Sequence, residues 1–145
     1  MIENFDKLLL ERKIDVLVAI HVLNWEDISV LDEGRTVLGT FIDEEDPVFS
    51  GILQNSGRTQ IKHYSTNYEW SLVVIRRFSR MELIRNKYNN NTELWHCRLG
   101  EIDNLQEYAV SSTAQLAICY AGLKAVRFDV DRFLQEEINK VKGEV

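Results

Sequence analysis

The sequence contains little proline, little cysteine and no long hydrophobic run. One proline and seven glycines in 145 residues exclude a collagen-like chain, a proline-rich linker and a low-complexity chain. Cys97 and Cys119 are the only two cysteines and lack Cys-x-x-Cys spacing, so we expect reduced structural thiols. No apolar run approaches the roughly 20 residues that span a bilayer. The sequence therefore predicts neither a membrane protein nor a disulfide-stabilised one.

The length and composition are those of one globular domain. Of the 145 residues, 45% are hydrophobic and 28% are charged, and a domain of this size buries enough apolar surface to fold without a metal or a disulfide. The first residues lack the basic segment of a secretory signal, and Leu8 to Leu10 are followed at once by charged residues. We therefore predict a single domain over residues 1–145, located in the cytoplasm.

The net charge of −6 is distributed unevenly along the chain. Residues 26–46 hold eight acidic side chains against Arg35 alone, whereas residues 58–98 hold eight lysines and arginines against three glutamates. Such blocks either face water, face each other, or form contact surfaces for a partner. The overall negative charge argues against a dedicated nucleic-acid binder.

Four segments have the apolar spacing or the capping residues of helices. The first has one buried stripe, which consists of Ile14, Leu17, Val18 and Val22, and we expect it to end at Asn24. The other three begin at predicted caps, which are Thr66 with Glu69, Ser112 with Gln115, and Asp129. The second helix is expected to run from Tyr68 to Met81, although residues 70–75 alone also fit a strand.

Short β-rich runs between these helices predict a mostly antiparallel sheet. The runs are residues 36–42, 48–53, 60–64, 94–99 and 108–110, and turn residues separate the first three. The mixture of antiparallel strands and helices predicts an α+β fold with helices on both faces of the sheet.

Three stretches carry a resemblance to a known family. They are residues 15–25, residues 63–67 (His-Tyr-Ser-Thr-Asn) and residues 113–123. In order and content they resemble the phage ABA sandwich domain, a small family of phages and prophages of Gram-positive bacteria. The resemblance implies a three-layer α-β-α sandwich, and it implies no established activity. Residues 26–62 are longer and more acidic than is usual in that family, which predicts an acidic strand-turn insertion there.

The residues suited to catalysis or to metal binding do not form a recognisable motif. His63, His96 and Cys97 are the best metal-ligand candidates, but His96 and Cys97 are adjacent and would point to opposite faces of a strand. The sequence has no Gly-x-Ser-x-Gly motif, no P-loop and no dinucleotide fingerprint. Cys119 falls on the packing side of a predicted helix. We therefore expect no metal, no cofactor and no catalytic residues.

Arginines on the second predicted helix form the best candidate binding site. Helical phasing sets Arg76 and Arg80 opposite the apolar arc, with Arg77 at its edge, and His63 and Tyr64 precede this helix. We therefore predict a non-catalytic phage or prophage accessory protein of the host cytosol that binds a host or phage protein, or itself. The alternative is a small-molecule binder that sequesters an anionic, nucleotide-like ligand. A deep pocket near these residues would favour a ligand, whereas a flat apolar patch would favour a protein.

Overall fold

The computed structural model describes residues 2–41, 58–88, 90–102 and 107–143, which form four α-helices and six β-strands. The helices are α1 (Leu10–His21), α2 (Tyr68–Ile75), α3 (Ala114–Ala125) and α4 (Val130–Val141). The strands are β1 (Glu26–Leu31), β2 (Thr36–Thr40), β3 (Thr59–Gln60), β4 (Arg80–Lys87), β5 (Glu93–Gly100) and β6 (Glu107–Ser111). This combination of helices and antiparallel strands confirms the predicted α+β class.

The described strands form two antiparallel sheets of three strands each, in the orders β1-β2-β3 and β4-β5-β6. Strand β1 was not predicted, because it begins with Glu26 and Asp27, which are unfavourable in strands. The strand contains one buried apolar residue, Val30, which pairs with Val37 of β2. The predicted strand over 60–64 is reduced to Thr59–Gln60. The predicted strand over 48–53 lies outside the described residues.

The middle of helix α1 is enclosed by the rest of the protein. All seven residues from Lys13 to Ala19 are buried, although a surface helix would expose one face. The predicted stripe of Ile14, Leu17, Val18 and Val22 is confirmed, since each of these side chains is at most 8% exposed. After the helix, Asn24 adopts a positive φ of 60° and turns the chain back towards α1. The backbone N–H of the buried Trp25 then donates a hydrogen bond to the Ala19 carbonyl oxygen at 2.8 Å.

Helix α2 is shorter than the sequence predicts. It has eight residues and ends at Ile75, so the predicted extension to Met81 is wrong. The backbone N–H groups of Arg77 and Phe78 bond the carbonyls three residues before them, at 3.1 and 3.0 Å, which closes the helix in tighter turns. The following residues belong to β4, because they pair one by one with β5 from Arg80 opposite Gly100 to Lys87 opposite Glu93.

Two of the three predicted helix caps are displaced by one residue. The side chain of Asn67, not Thr66, accepts a hydrogen bond from the Trp70 N–H at 3.2 Å. Likewise Thr113, not Ser112, accepts from the N–H three residues on, at 3.3 Å. Each capping residue has extended backbone and a side-chain oxygen within reach of the first helical turn. The predicted cap of the last helix, Asp129, is confirmed.

Helix α3 packs on one face of the second sheet and against α2. Its small residues Ala117 and Ala121 are fully buried, as are Cys97 and Leu99 of β5. An added Cβ at Gly122 would lie 2.7 Å from Val74 Cγ1, so α2 and α3 approach closely at this glycine. The small residues of α3 therefore allow the close packing that the sequence indicated.

The opposite face of the second sheet is exposed. Ile84, Tyr108 and Val110 on this face are 44%, 43% and 38% exposed. Helix α4 packs elsewhere, beside the N-terminal turn, where the Phe133 and Phe5 rings are 6.5 Å apart. The three-layer arrangement thus stays a prediction. Among the described helices, none has the length and apolar character needed to cross a bilayer.

Candidate functional site

The structure separates the residues that the sequence grouped into one binding site. Tyr64 is fully buried, whereas the His63 side chain is 59% exposed. Arg76 and Arg77 lie in the turn after α2, and Arg80 begins β4. The predicted arginine-bearing helix face is therefore wrong, because the three side chains belong to a turn and a strand. Tyr64 is a core residue and has no surface with which to contact a ligand.

A buried carboxyl group connects α1 to the segment before α2. Asp15 Oδ1 accepts hydrogen bonds from the backbone N–H and the hydroxyl of Ser65, at 2.8 and 2.7 Å. Asp15 Oδ2 accepts from Arg12 at 2.9 Å, and the same guanidinium group donates to the carbonyl oxygens of Ile61 and Lys62. Burial raises the pKa of the Asp15 carboxyl, and the hydrogen bonds from Ser65 and Arg12 oppose that shift.

The stretches that carry the family resemblance meet around this carboxyl group. Asp15 and Trp25 come from the first stretch, Tyr64 and Ser65 from the second, and Cys119 from the third. Burial and the charge of Asp15 raise the pKa of Tyr64, while the neighbouring Trp25 opposes the shift. Burial, together with Asp15, likewise raises the pKa of Cys119. These residues therefore hold the core together, which accounts for their joint occurrence without a binding role.

The geometry of the Asp15 cluster does not suit catalysis. The Ser65 hydroxyl is buried and lies between two acceptors, Asp15 and the Glu11 carbonyl, the latter at 2.9 Å. His63 Nδ1 is 3.8 Å from Asp15 Oδ2, which is beyond hydrogen-bond distance. Across the described parts of the chain, no three His, Cys, Asp or Glu side chains are placed to share a metal ion. Cys97 and Cys119 are buried free thiols.

The exposed side of the second sheet is the most distinctive surface of the described chain. We define the outer face by residues that the strand register places on this side, which are Glu82, Ile84, Asn86, His96, Arg98, Tyr108 and Val110. Two rows run across the three strands. One contains Glu82, Arg98 and Tyr108, and the other contains Ile84, His96 and Val110. The outer face thus combines apolar, aromatic and charged side chains on regular backbone.

Tyr108 of β6 is held in position on the outer face by two residues of the neighbouring strand β5. Its ring stacks on the His96 ring with centroids 5.7 Å apart, and its hydroxyl is hydrogen-bonded to His96 Nδ1. The Arg98 guanidinium carbon lies 5.6 Å from the centroid of the same ring. The contacts with His96 and Arg98 restrict the rotamers of Tyr108, so less side-chain entropy is lost when a partner covers it.

The outer face is shallow. A depression of about 200 Å³ lies over it, lined by residues of β4, β5 and β6. Pockets that enclose small ligands usually have volumes of about 300–1,000 Å³. The outer face therefore has the shape of a contact surface more than that of a ligand pocket.

A larger cleft lies where the C-terminal ends of α1, α2 and α3 meet. Its volume is about 390 Å³, and its charged lining residues are Arg77, Arg127, Glu101 and Glu107. Arg127 lies 3.6 Å from Glu107, and Ser79 donates a hydrogen bond to Glu101 at 2.7 Å. Burial lowers the pKa of Arg77. Because two carboxylates line the cleft beside two guanidinium groups, the cleft has no clear preference for an anion.

The sequence reasoning missed the outer face. It treated His96 only as a metal candidate and assigned Tyr108 and Val110 to a strand without giving them a role. One signal was present: Tyr108 and Val110 flank Ala109, so apolar side chains occupy both faces of this strand. A strand with apolar side chains on both faces is either packed against other elements on both sides or exposes one apolar face to solvent. The sequence of the strand is the same in both cases and does not distinguish them.

Comparison of the chain with family models, with curated proteins and with solved structures finds no match. The resemblance to the phage ABA sandwich family thus stays a prediction. The fold itself defines an α+β protein in which a helix covers one face of an antiparallel sheet and the other face is exposed.

Proposed function

We propose that this chain is a non-catalytic protein that binds a protein partner through the outer face. The observation that carries the proposal is a set of exposed apolar side chains on one face of the second sheet, which are Ile84 of β4 and Tyr108 and Val110 of β6. They are 38–44% exposed and flank His96 and Arg98 of the central strand β5. Exposed apolar side chains grouped on one face among polar neighbours are typical of interaction surfaces. Tyrosine and arginine, here Tyr108 and Arg98, are the residue types that contribute most to binding energy in protein interfaces.

The rigidity of the surface also supports a binding role. Three paired strands carry the outer face, so its side chains are held by backbone hydrogen bonds and not by a loop. A preformed surface of this kind binds with little reorganisation. The partner is a host or phage protein if the family resemblance holds, and the site of action is then the host cytosol.

The small-molecule alternative has less support from the described residues. The arginines proposed to hold an anionic, nucleotide-like ligand lie in a turn and on a strand and not on one helix face, and the cleft that includes Arg77 also includes Glu101 and Glu107. A nucleotide that raised the melting temperature of the protein would nevertheless favour this alternative over the outer face.

Site-specific photo-cross-linking tests the proposal. A benzophenone amino acid replaces Tyr108 in the outer face, or Tyr68 on α2 as a control that is 46% exposed. In cells that express the protein, we expect a discrete protein adduct from position 108 and none from position 68. Equal adducts at the two positions, or no adduct at 108, would contradict the proposal. An adduct with the mass of two chains would identify the partner as a second copy.

A further inference from the structure

Strand β4 is an exposed edge of the second sheet. It pairs with β5 on one side, and no other described strand pairs with it. Seven of its eight residues are exposed, and Leu83 is the exception. On the free side of an edge strand, every second residue presents an unpaired N–H and C=O. β4 therefore offers a row of backbone donors and acceptors over the full length of the strand.

The free edge is basic, although the chain as a whole is acidic. β4 contains Arg80, Arg85 and Lys87 against Glu82, whereas the net charge of the protein is −6. Among the described residues, Arg80 and Lys87 have no ion pair, and Arg85 is paired with Glu93 of the same hairpin at 3.3 Å. Arg80 and Lys87 mark the two ends of the strand, roughly 23 Å apart at about 3.3 Å per residue.

We infer that β4 binds an extended, acidic segment of the partner protein as an additional strand of the second sheet. This inference rests on the proposed function, and it specifies how the partner binds and which chemistry is recognised. The backbone of the added segment would hydrogen-bond to the free edge. Its acidic side chains would lie near Arg80 on the outer face and near Lys87 on the opposite face of the sheet, because side chains seven positions apart on a strand point to opposite faces. Side chains on the outer-face side of the added segment would extend over Ile84.

Charge distinguishes this occupant from a second copy of the chain. Pairing of β4 with β4 would bring two strands of net positive charge together, and like charges on paired strands are destabilising. Arginine and lysine on an edge strand are a known device against such self-pairing. An acidic segment meets no such repulsion, because its charges are opposite to those of Arg80 and Lys87.

The backbone of β4 favours a peptide over a nucleic acid. A free strand edge alternates N–H donors with C=O acceptors, which a peptide strand matches, whereas phosphate oxygens only accept. Glu82 on the same strand and the overall negative charge also oppose a polyanion.

The test uses labelled synthetic peptides of about ten residues, a length typical of long strands. One peptide repeats two glutamates followed by two threonines, so that glutamates occur on both faces of the added strand. The second replaces each glutamate with lysine, and the third is the acidic peptide with prolines at two central positions. We expect the acidic peptide to bind with an affinity at least tenfold above that of either control, as measured by fluorescence anisotropy. Equal binding of the acidic and lysine peptides would overturn the inference, as would full binding of the proline peptide.

Charge-reversal variants locate the binding site. Arg80→Glu with Lys87→Glu is compared with Arg35→Glu with Lys142→Glu, a control pair of exposed residues outside the second sheet that changes the net charge equally. We expect the β4 pair to weaken binding of the acidic peptide at least tenfold and the control pair to leave it nearly unaltered. Melting temperatures verify that both variants fold. Equal weakening by the two pairs would mean that net charge alone governs binding and would overturn the inference.

Amide hydrogen exchange separates this inference from the proposed function. We expect the acidic peptide to slow the exchange of amides on alternate residues of β4. A partner that cross-links at Tyr108 but leaves β4 exchange unchanged would bind the outer face without adding a strand, so the proposed function would stand and this inference would fall. Absence of both cross-linking and peptide binding would reject both. A single-stranded oligonucleotide that displaced the peptide, or dimers formed through β4, would also overturn the inference.

Discussion

Asp15 Oδ1 accepts two hydrogen bonds from Ser65, one from its backbone N–H at 2.8 Å and one from its hydroxyl at 2.7 Å. The two residues are fifty positions apart, and both are buried. Arg12 satisfies the second carboxylate oxygen and ties the same segment to α1 through the carbonyls of Ile61 and Lys62. These contacts fix the position of the chain that leads into α2.

Replacement of Asp15 tests this connection. Asp15→Ala leaves the buried Ser65 N–H without its acceptor and deprives the largely buried Arg12 of its carboxylate partner, although Arg12 keeps the carbonyl oxygens of Ile61 and Lys62. Each such loss costs about 1–3 kcal/mol. We expect the free energy of unfolding to fall by about 2–4 kcal/mol in urea denaturation. The control, Asp131→Ala, removes an exposed carboxylate 3.4 Å from Lys124 and should cost less than about 0.5 kcal/mol. Similar losses in both variants would contradict a structural role for Asp15.

Substitution of Gly122 by alanine changes packing and helix propensity in opposite directions, because the first effect lowers the free energy of unfolding and the second raises it. Alanine is favoured over glycine within a helix by about 1 kcal/mol. Its Cβ would, however, lie 2.7 Å from Val74 Cγ1, and the β-branched valine has little freedom to move. We expect Gly122→Ala to lower the free energy of unfolding by about 1–3 kcal/mol. In a Val74→Ala background the same change should cost less. If Gly122→Ala instead stabilised the protein with Val74 present, α2 and α3 would have to be farther apart than the structure shows.

Because the two thiols are buried, we expect the free energy of unfolding to fall at alkaline pH. Burial raises the pKa of Cys97 to about 12, and burial also raises the pKa of Cys119. As the pH rises above about 9, thiols of the unfolded chain lose protons while those of the folded chain keep them. The free energy of unfolding should therefore fall by up to about 1.4 kcal/mol per pH unit for each thiol. Urea denaturation in reducing buffer between about pH 8 and pH 10 measures this slope.

A cysteine variant provides the control for this slope. Cys97→Ala removes one of the two thiols, so the decline in stability between about pH 8 and pH 10 should be shallower than in the parent. Tyr64 contributes to both proteins in the same direction, because burial raises its pKa as well. Parallel slopes for parent and variant would show that the Cys97 thiol ionises equally in the folded and unfolded states.

The sequence predicts elements whose pattern is local and misses those that depend on distant partners. The stripe from Ile14 to Val22 repeats within one helix, so it was predicted. Strand β4 was not, because Met81 continues the apolar arc of α2, and arginine, methionine and glutamate are good helix formers. What makes residues 80–87 a strand is pairing with β5, a partner that local propensity does not include.

The candidate site was harder to predict than the fold, because it depends on what remains uncovered. The basic residues led the sequence analysis to Arg76, Arg77 and Arg80, and the predicted placement of these three arginines on one helix is wrong. Ile84 and Val110 look like core residues in sequence. They become surface residues only because no described helix packs over the outer face, and that arrangement is a property of the whole tertiary structure.

The last prediction separates a strand edge from a diffuse basic surface. If residues 76–80 formed a helix, as the sequence predicts, Arg76 and Arg80 would lie on one face of it, one turn apart. The two arginines would then contribute equally to binding of an anionic partner. In the structure Arg76 belongs to the turn after α2, whereas Arg80 is the first residue of β4. We therefore expect Arg80→Glu to weaken binding of the glutamate–threonine peptide and Arg76→Glu to have little effect.

Both substitutions change the net charge equally, so the pair controls for long-range electrostatics. Both arginines are exposed, and neither has an ion pair among the described residues, so the melting temperature should stay nearly constant in each variant. Fluorescence anisotropy at low salt gives the two affinities, because added salt would screen the exposed charges. Equal weakening by the two variants would show that the partner senses a general basic field. A weakening confined to Arg80→Glu would show that the charge must lie on the edge strand itself.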